Sequence, residues 1–277
     1  IISALYAAST VLFQRLVARY FPCGPVFLVV MALLPLGVEG TYWMSASTRV
    51  VCGMFFAAIA AWAFARWLDR RSWGWALVYL LLLPLPFGFY EQAGLLGVAF
   101  TMGMAILERF LQKKVNFRGL LSLWGIPAMG LYLAAMRLLS LGGVYADRAQ
   151  IVLPTPDHFF YYWTNLFPQV SVQMVGAFLL GGLLTLGKGF IRGVQMIFSG
   201  ELLLWVLFLL VLCLLFYKLS AVWKPNGETP NQVWPAVVSG LLLMAAPVSL
   251  FFVLDNPWFS LRGTVTSFVG AALLVDT

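Results

Sequence analysis

Charged residues are scarce in this sequence. Asp, Glu, Lys and Arg make up 10% of its 277 residues, whereas soluble globular domains carry roughly 25%. Hydrophobic residues make up 62% and the mean hydropathy is +0.93, well above the apolar share of roughly 45–50% in soluble domains. This composition excludes an ordinary water-soluble domain and predicts a chain that lies mostly in lipid.

Cysteine and histidine are also rare. The three cysteines, Cys23, Cys52 and Cys213, are far apart, which excludes a disulfide framework or a paired metal-binding motif. The single histidine, His158, cannot build a metal site alone. Glycine-rich phosphate loops and nucleophile elbows are missing as well. We therefore expect no bound cofactor, and the sequence leaves open whether a divalent metal is needed.

Net charge points to lipid headgroups and not to nucleic acid. The formal charge is +7, but the basic residues are spread over the short segments between apolar runs. Such a distribution sets the orientation of membrane segments and contacts headgroups. Membrane lipids are the expected partners, and nucleic acid is not.

Apolar runs recur along the whole chain and predict an all-α, polytopic transmembrane bundle of about nine or ten segments. The bundle is expected to form a single domain, 1–277. The predicted segments are 1–18, 26–38, 50–65, 73–89, 93–107, 119–136, 167–187, 201–217, 234–254 and 263–275.

Basic residues predict the orientation of the first six segments. If the segments alternate, one face, taken as cytoplasmic, holds Arg19, Arg66, Arg70, Arg71, Arg109, Lys113, Lys114 and Arg118. The loops 39–49 and 90–92 then lie on the opposite face. Orientation in the second half depends on whether 167–187 crosses. We favour a re-entrant or interface-lying element there, which puts 255–262 on the non-cytoplasmic face.

The stretch 81–92 carries the strongest functional signal. Two prolines, Pro84 and Pro86, interrupt an apolar run that ends at Tyr90, Glu91 and Gln92. A carboxylate at hydrocarbon depth costs roughly 2.5–3.5 kcal/mol, so it normally faces water or a partner. We expect Glu91 to look into a water-filled cavity from a three-residue connection. The alternative is a structural cap that accepts hydrogen bonds from the backbone N–H groups that follow.

A similar order of proline and acid occurs twice more, at Pro35 before Glu39 and at Pro247 before Asp255. On the predicted topology these carboxylates meet on the non-cytoplasmic face. The simpler explanation is that prolines and acids are common at helix ends. Glu39 has its own alternative, a pairing with Arg49 across the loop.

Three sequence elements together resemble the GT-C class of polytopic membrane glycosyltransferases, and most closely its protein O-mannosyltransferase-like branch, which includes the transmembrane tetratricopeptide-containing mannosyltransferases. They are 33–45 around Glu39, the turn Tyr90-Glu91-Gln92, and 247–270, which contains Pro247, Ser249 and Arg262. The chain departs from the pattern in having Tyr90 before the glutamate and Gly263 after Arg262. These departures leave the sugar and the acceptor open.

The resemblance implies a sugar donor carried on polyprenyl phosphate and a multi-pass location in a bacterial plasma membrane. It also implies that the catalytic aspartate precedes Ile1, so that the chain is an internal piece without the first outward loop. The expected sugar or acceptor contacts are Glu39, Glu91, Gln92 and Tyr90. The expected phosphate-binding residues are Arg262, then Arg49 and Arg137, because guanidinium groups bind phosphate oxygens in pairs.

The sequence therefore predicts a membrane hexosyltransferase that acts on the non-cytoplasmic face. Two other functions stay open. Broken helices and intramembrane acids also suit a transporter or lipid flippase, and the fold could serve as a non-catalytic membrane scaffold. Donor sugar, acceptor, catalytic base and oligomeric state are not determined by the sequence.

Overall fold

A computed structural model of the chain describes residues 1–33, 44–110, 117–139, 155–200, 233–253 and 261–277, with a few separate residues between 204 and 214. Within these ranges the chain is helical and contains no strand. The all-α prediction is confirmed for this part of the chain.

In the described part of the first half, the chain forms seven α-helices and one 3₁₀ segment. They are α1 (Ile2–Val17), α2 (Pro25–Leu33), α3 (Met44–Arg70), α4 (Trp73–Leu82), α5 (Leu85–Phe89), α6 (Glu91–Phe110), the 3₁₀ segment Phe117–Trp124 and α7 (Gly125–Leu139).

The second half alternates α, π and 3₁₀ turns. It contains the turns Pro156–His158 and Phe159–Tyr161, a π segment (Tyr162–Leu166), α8 (Phe167–Val175), a second π segment (Gly176–Gly181), α9 (Gly182–Phe198), α10 (Val233–Ala245), the 3₁₀ segments Ala246–Val253 and Leu261–Ser267, and α11 (Phe268–Asp276).

Within the described residues, three helical stretches are long and apolar enough to cross a membrane: Ser47–Arg70, Glu91–Phe110 and Val233–Phe252. Shorter apolar helices are Ile2–Val17, Trp73–Phe89 and Gly263–Asp276. A 20-residue helix such as α6 is about 30 Å long, which matches the hydrocarbon thickness of a bilayer. These lengths and compositions are those of a membrane protein.

Proline and glycine divide two of the predicted segments. The run 73–89 is two helices, because the chain turns at Leu83 and Pro84 between α4 and α5. The run 119–136 is a 3₁₀ segment followed by α7, which begins at Gly125. The interruption that Pro84 and Pro86 predict in 73–89 is confirmed, since proline lacks the N–H that an interior helical residue donates. The division of 119–136 was not predicted.

Contacts at the helix ends show how the helices are oriented. Arg19 follows α1 and binds both Asp69 at the end of α3 and Glu108 at the end of α6. The three helices are therefore parallel, and we call this side of the bundle the Arg19 end. The predicted grouping of Arg19 with the basic clusters after α3 and α6 is confirmed. The opposite side is called the Glu91 end, after the first residue of α6.

Small residues hold α3 and α6 together. A Cβ atom on Gly53 would lie only 2.9 Å from the Cβ of Ala93, and one on Gly97 would lie 3.4 Å from the Cβ of Ala57. Small residues four apart let parallel membrane helices approach closely. Burial in the core is complete along the next turns of α3, where Ala57, Ala58, Ala60 and Ala61 are 0% exposed. This contact fixes the start of α6 against α3.

The C-terminal helices complete the bundle as an antiparallel pair. Ser267, just before α11, donates a hydrogen bond of 2.8 Å to the carbonyl of Met244 in α10. At the other end of α11, Asp276 accepts a hydrogen bond of 2.5 Å from the N–H of Gly24. Since Gly24 lies five residues after Arg19, α11 ends and α10 begins at the Arg19 end.

The stretch from Phe159 to Phe198 contacts the main core through Phe178 and also forms a second, smaller cluster. A small cluster of Tyr162, Leu166 and Val170 packs against Phe251 and Phe252. In α9, the polar side chains form one stripe along the helix: Thr185, Lys188, Arg192 and Gln195. Such a basic amphipathic helix suits the membrane interface. The prediction that 167–187 is a re-entrant or interface-lying element is not tested by these contacts and stays a prediction.

Candidate functional site

The turn before α6 is a single residue. Tyr90 is extended, with φ −159° and ψ 115°, and its N–H donates a 2.8 Å hydrogen bond to the carbonyl of Pro86. Its own carbonyl accepts hydrogen bonds from Ala93 and Gly94 at 2.9 and 3.2 Å. Glu91 and Gln92 therefore belong to the first helical turn, and the predicted three-residue connection was wrong. The proposed carboxylate cap was also wrong, because a backbone carbonyl occupies those two N–H groups.

The carboxylate of Glu91 is held by a tyrosine from another helix. Oη of Tyr132 donates a 2.5 Å hydrogen bond to Oε1 of Glu91. A bond of this length is typical of a hydroxyl donating to a charged carboxylate. Glu91 is half-buried, and in the described part of the chain its second oxygen has no protein donor. One oxygen is thus fixed in place, and the other can accept a hydrogen bond from a substrate hydroxyl.

Packing against α5 fixes the ring of Tyr132. The ring stacks on Phe87 at 5.7 Å between centroids and an angle of 28°. Phe87 is 2% exposed and lies over Gly94, where any Cβ would overlap the Phe87 ring. Contacts therefore run without a gap from the backbone of α6 at Gly94, through the rings of Phe87 and Tyr132, to the carboxylate of Glu91 at the start of the same helix.

Gln92 connects the same end of α6 to the C-terminal part of the chain. Its side chain is buried, and Oε1 accepts a 3.2 Å hydrogen bond from Oγ1 of Thr266. Arg262 lies at the second position of the same 3₁₀ segment, Leu261–Ser267. The backbone of Arg262 is thereby brought to the Glu91 end, as the sequence predicts; its side chain lies outside the described residues.

The other predicted residues fall at the Glu91 end or outside the described ranges. Arg49 is exposed on α3, one turn before Gly53, which touches Ala93. Arg137 follows Tyr132 by five residues in α7, and its side chain lies outside the described residues. Glu39 lies outside them entirely. Tyr90 is half-buried and packs against the main core.

The charged cluster at the Arg19 end is satisfied internally. Arg19 donates two hydrogen bonds of 2.8 Å to Asp69, and its Nη2 lies 2.5 Å from Oε1 of Glu108. Tyr20 donates a further bond of 3.2 Å to Glu108. Burial lowers the pKa of Arg19, but its hydrogen bonds to Asp69 and Glu108 raise that pKa above its ordinary value overall. Glu108 is thus occupied by structural partners and is not available to a substrate.

The described residues contain no group of three or more histidine, cysteine, aspartate or glutamate side chains that could hold a metal ion. The chemistry that this geometry offers is that of a positioned carboxylate. It can accept a hydrogen bond or a proton from a hydroxyl group at the end of an apolar helix.

Sequence reasoning missed Tyr132, Phe87 and Thr266. Tyr132 is the sole hydroxyl-bearing residue in the apolar run 125–136, and that isolation was the available signal. Thr266 is 0% exposed and lies 174 positions from Gln92. A pairing at that separation depends on the folded bundle.

Comparisons with protein families, with curated proteins and with solved structures find no match to this chain.

Proposed function

We propose that this chain is the membrane part of a GT-C-like glycosyltransferase. It moves a sugar from a polyprenyl-phosphate carrier to an acceptor on the non-cytoplasmic face of a bacterial plasma membrane. The observation that carries the proposal is the half-buried carboxylate of Glu91, held by Tyr132 at the first turn of a 20-residue apolar helix. A helix of that length puts its first turn at a membrane surface.

Transfer forms a bond between an acceptor oxygen and the anomeric carbon of the sugar. The bond from that carbon to the phosphate oxygen breaks, polyprenyl phosphate leaves with the electron pair, and the acceptor hydroxyl loses its proton. Glu91 contacts a hydroxyl of the sugar or acceptor through its second carboxylate oxygen, with Gln92 and Tyr90 beside it. A positioned hydrogen-bond acceptor of this kind contributes most when its geometry is fixed before the substrate binds.

The leaving phosphate requires positive charge. Arg262 is the first candidate, since the Thr266–Gln92 hydrogen bond brings its segment to the start of α6. Arg49 and Arg137 are the other candidates, since α3 begins and α7 ends at this side of the bundle. The Arg19 end is a poor alternative, because its most buried guanidinium is already bound to two carboxylates.

The described helices are consistent with a bundle of nine or ten segments in which 167–187 does not cross. The 3₁₀ segment and α7 run antiparallel to α6, from Gly119 beside Ala105 to Tyr132 beside Glu91. The chain therefore leaves α7 at the Glu91 end and enters α10 at the Arg19 end. If the bundle spans a membrane, the chain between α7 and α10 crosses that membrane an odd number of times. A single crossing between α9 and α10, with α9 at the interface, satisfies this condition; the predicted segment 201–217 lies largely outside the described residues.

Transport is the competing function, and it would use a polar site near the middle of the membrane. One polar pair inside the bundle, Tyr79 with Thr101, is neutral, buried and joined by a 3.2 Å hydrogen bond. Thr101 also donates to the carbonyl of Gly97. Thr10 and Gln14 of α1 are buried and uncharged as well. The carboxylate of Glu91 lies instead at a helix end, which favours surface chemistry.

The test is a transfer assay with the full-length protein in liposomes, supplied with a polyprenyl-phosphate hexose and a membrane extract that contains acceptors. The measured quantity is the polyprenyl phosphate released. We expect Glu91→Gln to reduce release by about a hundredfold, within the usual range for loss of a positioned acid–base group. Arg262→Ala is expected to reduce it as well.

Asp69→Asn is the matched control, because it also removes one carboxylate charge but does so at the Arg19 end. Its release rate should stay within about twofold of the unaltered protein, since surface substitutions away from a site have small effects. Normal release by Glu91→Gln would contradict the role of Glu91. Absence of release with every hexose donor would contradict the transferase itself.

A further inference from the structure

An open groove lies at the Arg19 end, beside the ion cluster, whose Glu108 forms part of its lining. It has a volume of about 370 Å³, which is within the range of small-molecule sites. The last turns of α6 form one wall and the 3₁₀ segment Phe117–Trp124 forms the other. Apolar side chains line most of it, including Met102, Ile106, Leu120 and Leu123.

The groove follows the last turns of α6 along the helix axis. Its lining extends from Met102 to Phe110 on α6, a distance of about 12 Å along a helix axis. Phe110 is the last residue of a stretch long enough to cross a membrane. The groove therefore begins at headgroup depth and continues into the hydrocarbon. Ile106 and Leu120, which face it, are 53% and 61% exposed.

One positive charge stands at the headgroup end of the groove. Arg109 lines it and is exposed, and within the described residues no carboxylate pairs with it. Glu108 also lines the groove, but its carboxylate is already hydrogen-bonded by Arg19 at 2.5 Å, which it shares with Asp69, and by the hydroxyl of Tyr20. The groove thus combines an apolar channel with the guanidinium of Arg109 at its headgroup end, and this guanidinium has no carboxylate partner among the described residues.

We propose that this groove is a binding site for one anionic glycerophospholipid, with an acyl chain along Met102, Ile106 and Leu120 and the phosphate on Arg109. The occupant follows from the charge and the depth together. An apolar partner helix would fill the channel but leave the guanidinium without a partner. A free anion would pair with Arg109 but leave the channel empty. The site lies at the other end of α6 from Glu91, so it does not depend on the proposed sugar transfer.

The experiment measures retained lipid by native mass spectrometry after delipidation of the full-length protein in detergent. Four probes are compared: dioleoyl phosphatidylglycerol, dioleoyl phosphatidylcholine, the short-chain dihexanoyl phosphatidylglycerol, and inorganic phosphate. The long-chain anionic lipid is expected to bind about fivefold more tightly than the zwitterionic one, the usual effect of one basic residue on an anionic headgroup. The short-chain lipid and inorganic phosphate are expected to bind weakly.

Two pairs of variants separate the site from general lipid contact. Arg109→Gln should remove the fivefold preference, whereas Arg70→Gln, at another exposed arginine of the Arg19 end, should keep it. Leu120→Trp should weaken both long-chain lipids, whereas Leu77→Trp, at a residue 58% exposed on α4, should not. Equal binding of the two long-chain lipids would overturn the proposal. Equal loss in Arg70→Gln, or full competition by inorganic phosphate, would overturn it too.

Discussion

The hydroxyl of Tyr132 lies 2.5 Å from the carboxylate of Glu91, although 41 positions separate the two residues. The bond joins α7 to the first turn of α6 and fixes one of the two carboxylate oxygens. It also identifies which side of this apolar bundle offers a positioned acid. In the described core, Asp69 and Glu108 are occupied by Arg19, and Asp276 accepts a hydrogen bond from the N–H of Gly24.

Tyr132→Phe is the direct test of this bond. The variant removes the hydroxyl but keeps the ring that stacks on Phe87. Loss of a hydrogen bond to a charged group costs about 1.5–3 kcal/mol, so sugar transfer should fall by about tenfold to a hundredfold. Tyr79→Phe, which removes a hydroxyl bonded to Thr101 in mid-bundle, should leave the transfer rate unchanged. Equal losses in the two variants would show that Tyr132 has no special relation to the site.

Gly94→Ala tests the packing beneath the pair. A methyl group at this position would overlap the ring of Phe87, which must then move and displace Tyr132. Overpacking of this kind costs about 1–3 kcal/mol of unfolding free energy, and displacement of a positioned group by about 1 Å can cost a hundredfold in rate. We expect both stability and transfer to fall. Gly103→Ala, on the same helix with no atom within 4 Å of the new methyl group, should change neither by much.

The ion cluster at the Arg19 end predicts a strong coupling energy. Glu108 is 4% exposed, so Arg19→Met leaves a buried carboxylate without its cation and should cost about 3–5 kcal/mol of unfolding free energy. Glu108→Leu in addition should restore at least about 2 kcal/mol, as expected for residues in direct contact. The measurement is a double-mutant cycle by denaturant unfolding in detergent, with Arg15→Met as the exposed control. Additive effects of the two substitutions would contradict the coupling.

Tyr20 predicts a loss of stability at high pH. Burial raises the pKa of its phenol above the ordinary value of 10.0, and the neighbouring carboxylate of Glu108 adds to the shift. The folded state then keeps a proton that the unfolded state releases, so stability is complete below about pH 10 and falls as the pH rises. At pH 11 the loss should be about 1.4 kcal/mol. In Tyr20→Phe, the decrease in unfolding free energy at pH 11 should be smaller by about 1.4 kcal/mol. A pH profile identical to that of the unaltered protein would contradict the assignment.

Much of the helical architecture could be predicted from the sequence, because apolar runs and basic clusters depend on local composition. The parallel arrangement of α1, α3 and α6 followed from the positions of arginines such as Arg19 and Arg109. The start of α6 could not be predicted in the same way. Glu91 and Gln92 are polar and follow two prolines, which favours a loop. The helix nevertheless begins at Glu91, because the carbonyl of Tyr90 accepts hydrogen bonds from the N–H groups of Ala93 and Gly94.

The charged residues of the candidate site could be predicted from the sequence, but their hydrogen-bonding partners could not. Glu91 stood out as an acid within apolar sequence, and Arg262 as a cation near a predicted helix end. Their partners did not stand out, because Tyr132 and Thr266 are ordinary residues of apolar helices until the bundle brings them to α6. Distances along the chain of 41 and 174 residues separate these pairs. Such contacts arise from packing, which composition and periodicity do not encode.

The most direct test of the account is photo-crosslinking with a polyprenyl phosphate that carries a photoreactive group beside its phosphate. The full-length protein is irradiated in liposomes, with and without excess unlabelled polyprenyl phosphate, and the labelled peptides are mapped by mass spectrometry. The account predicts competed labels around 86–94, 128–137 and 261–266, at the Glu91 end. Competed labels around 66–71 at the Arg19 end, with none at the Glu91 end, would contradict it.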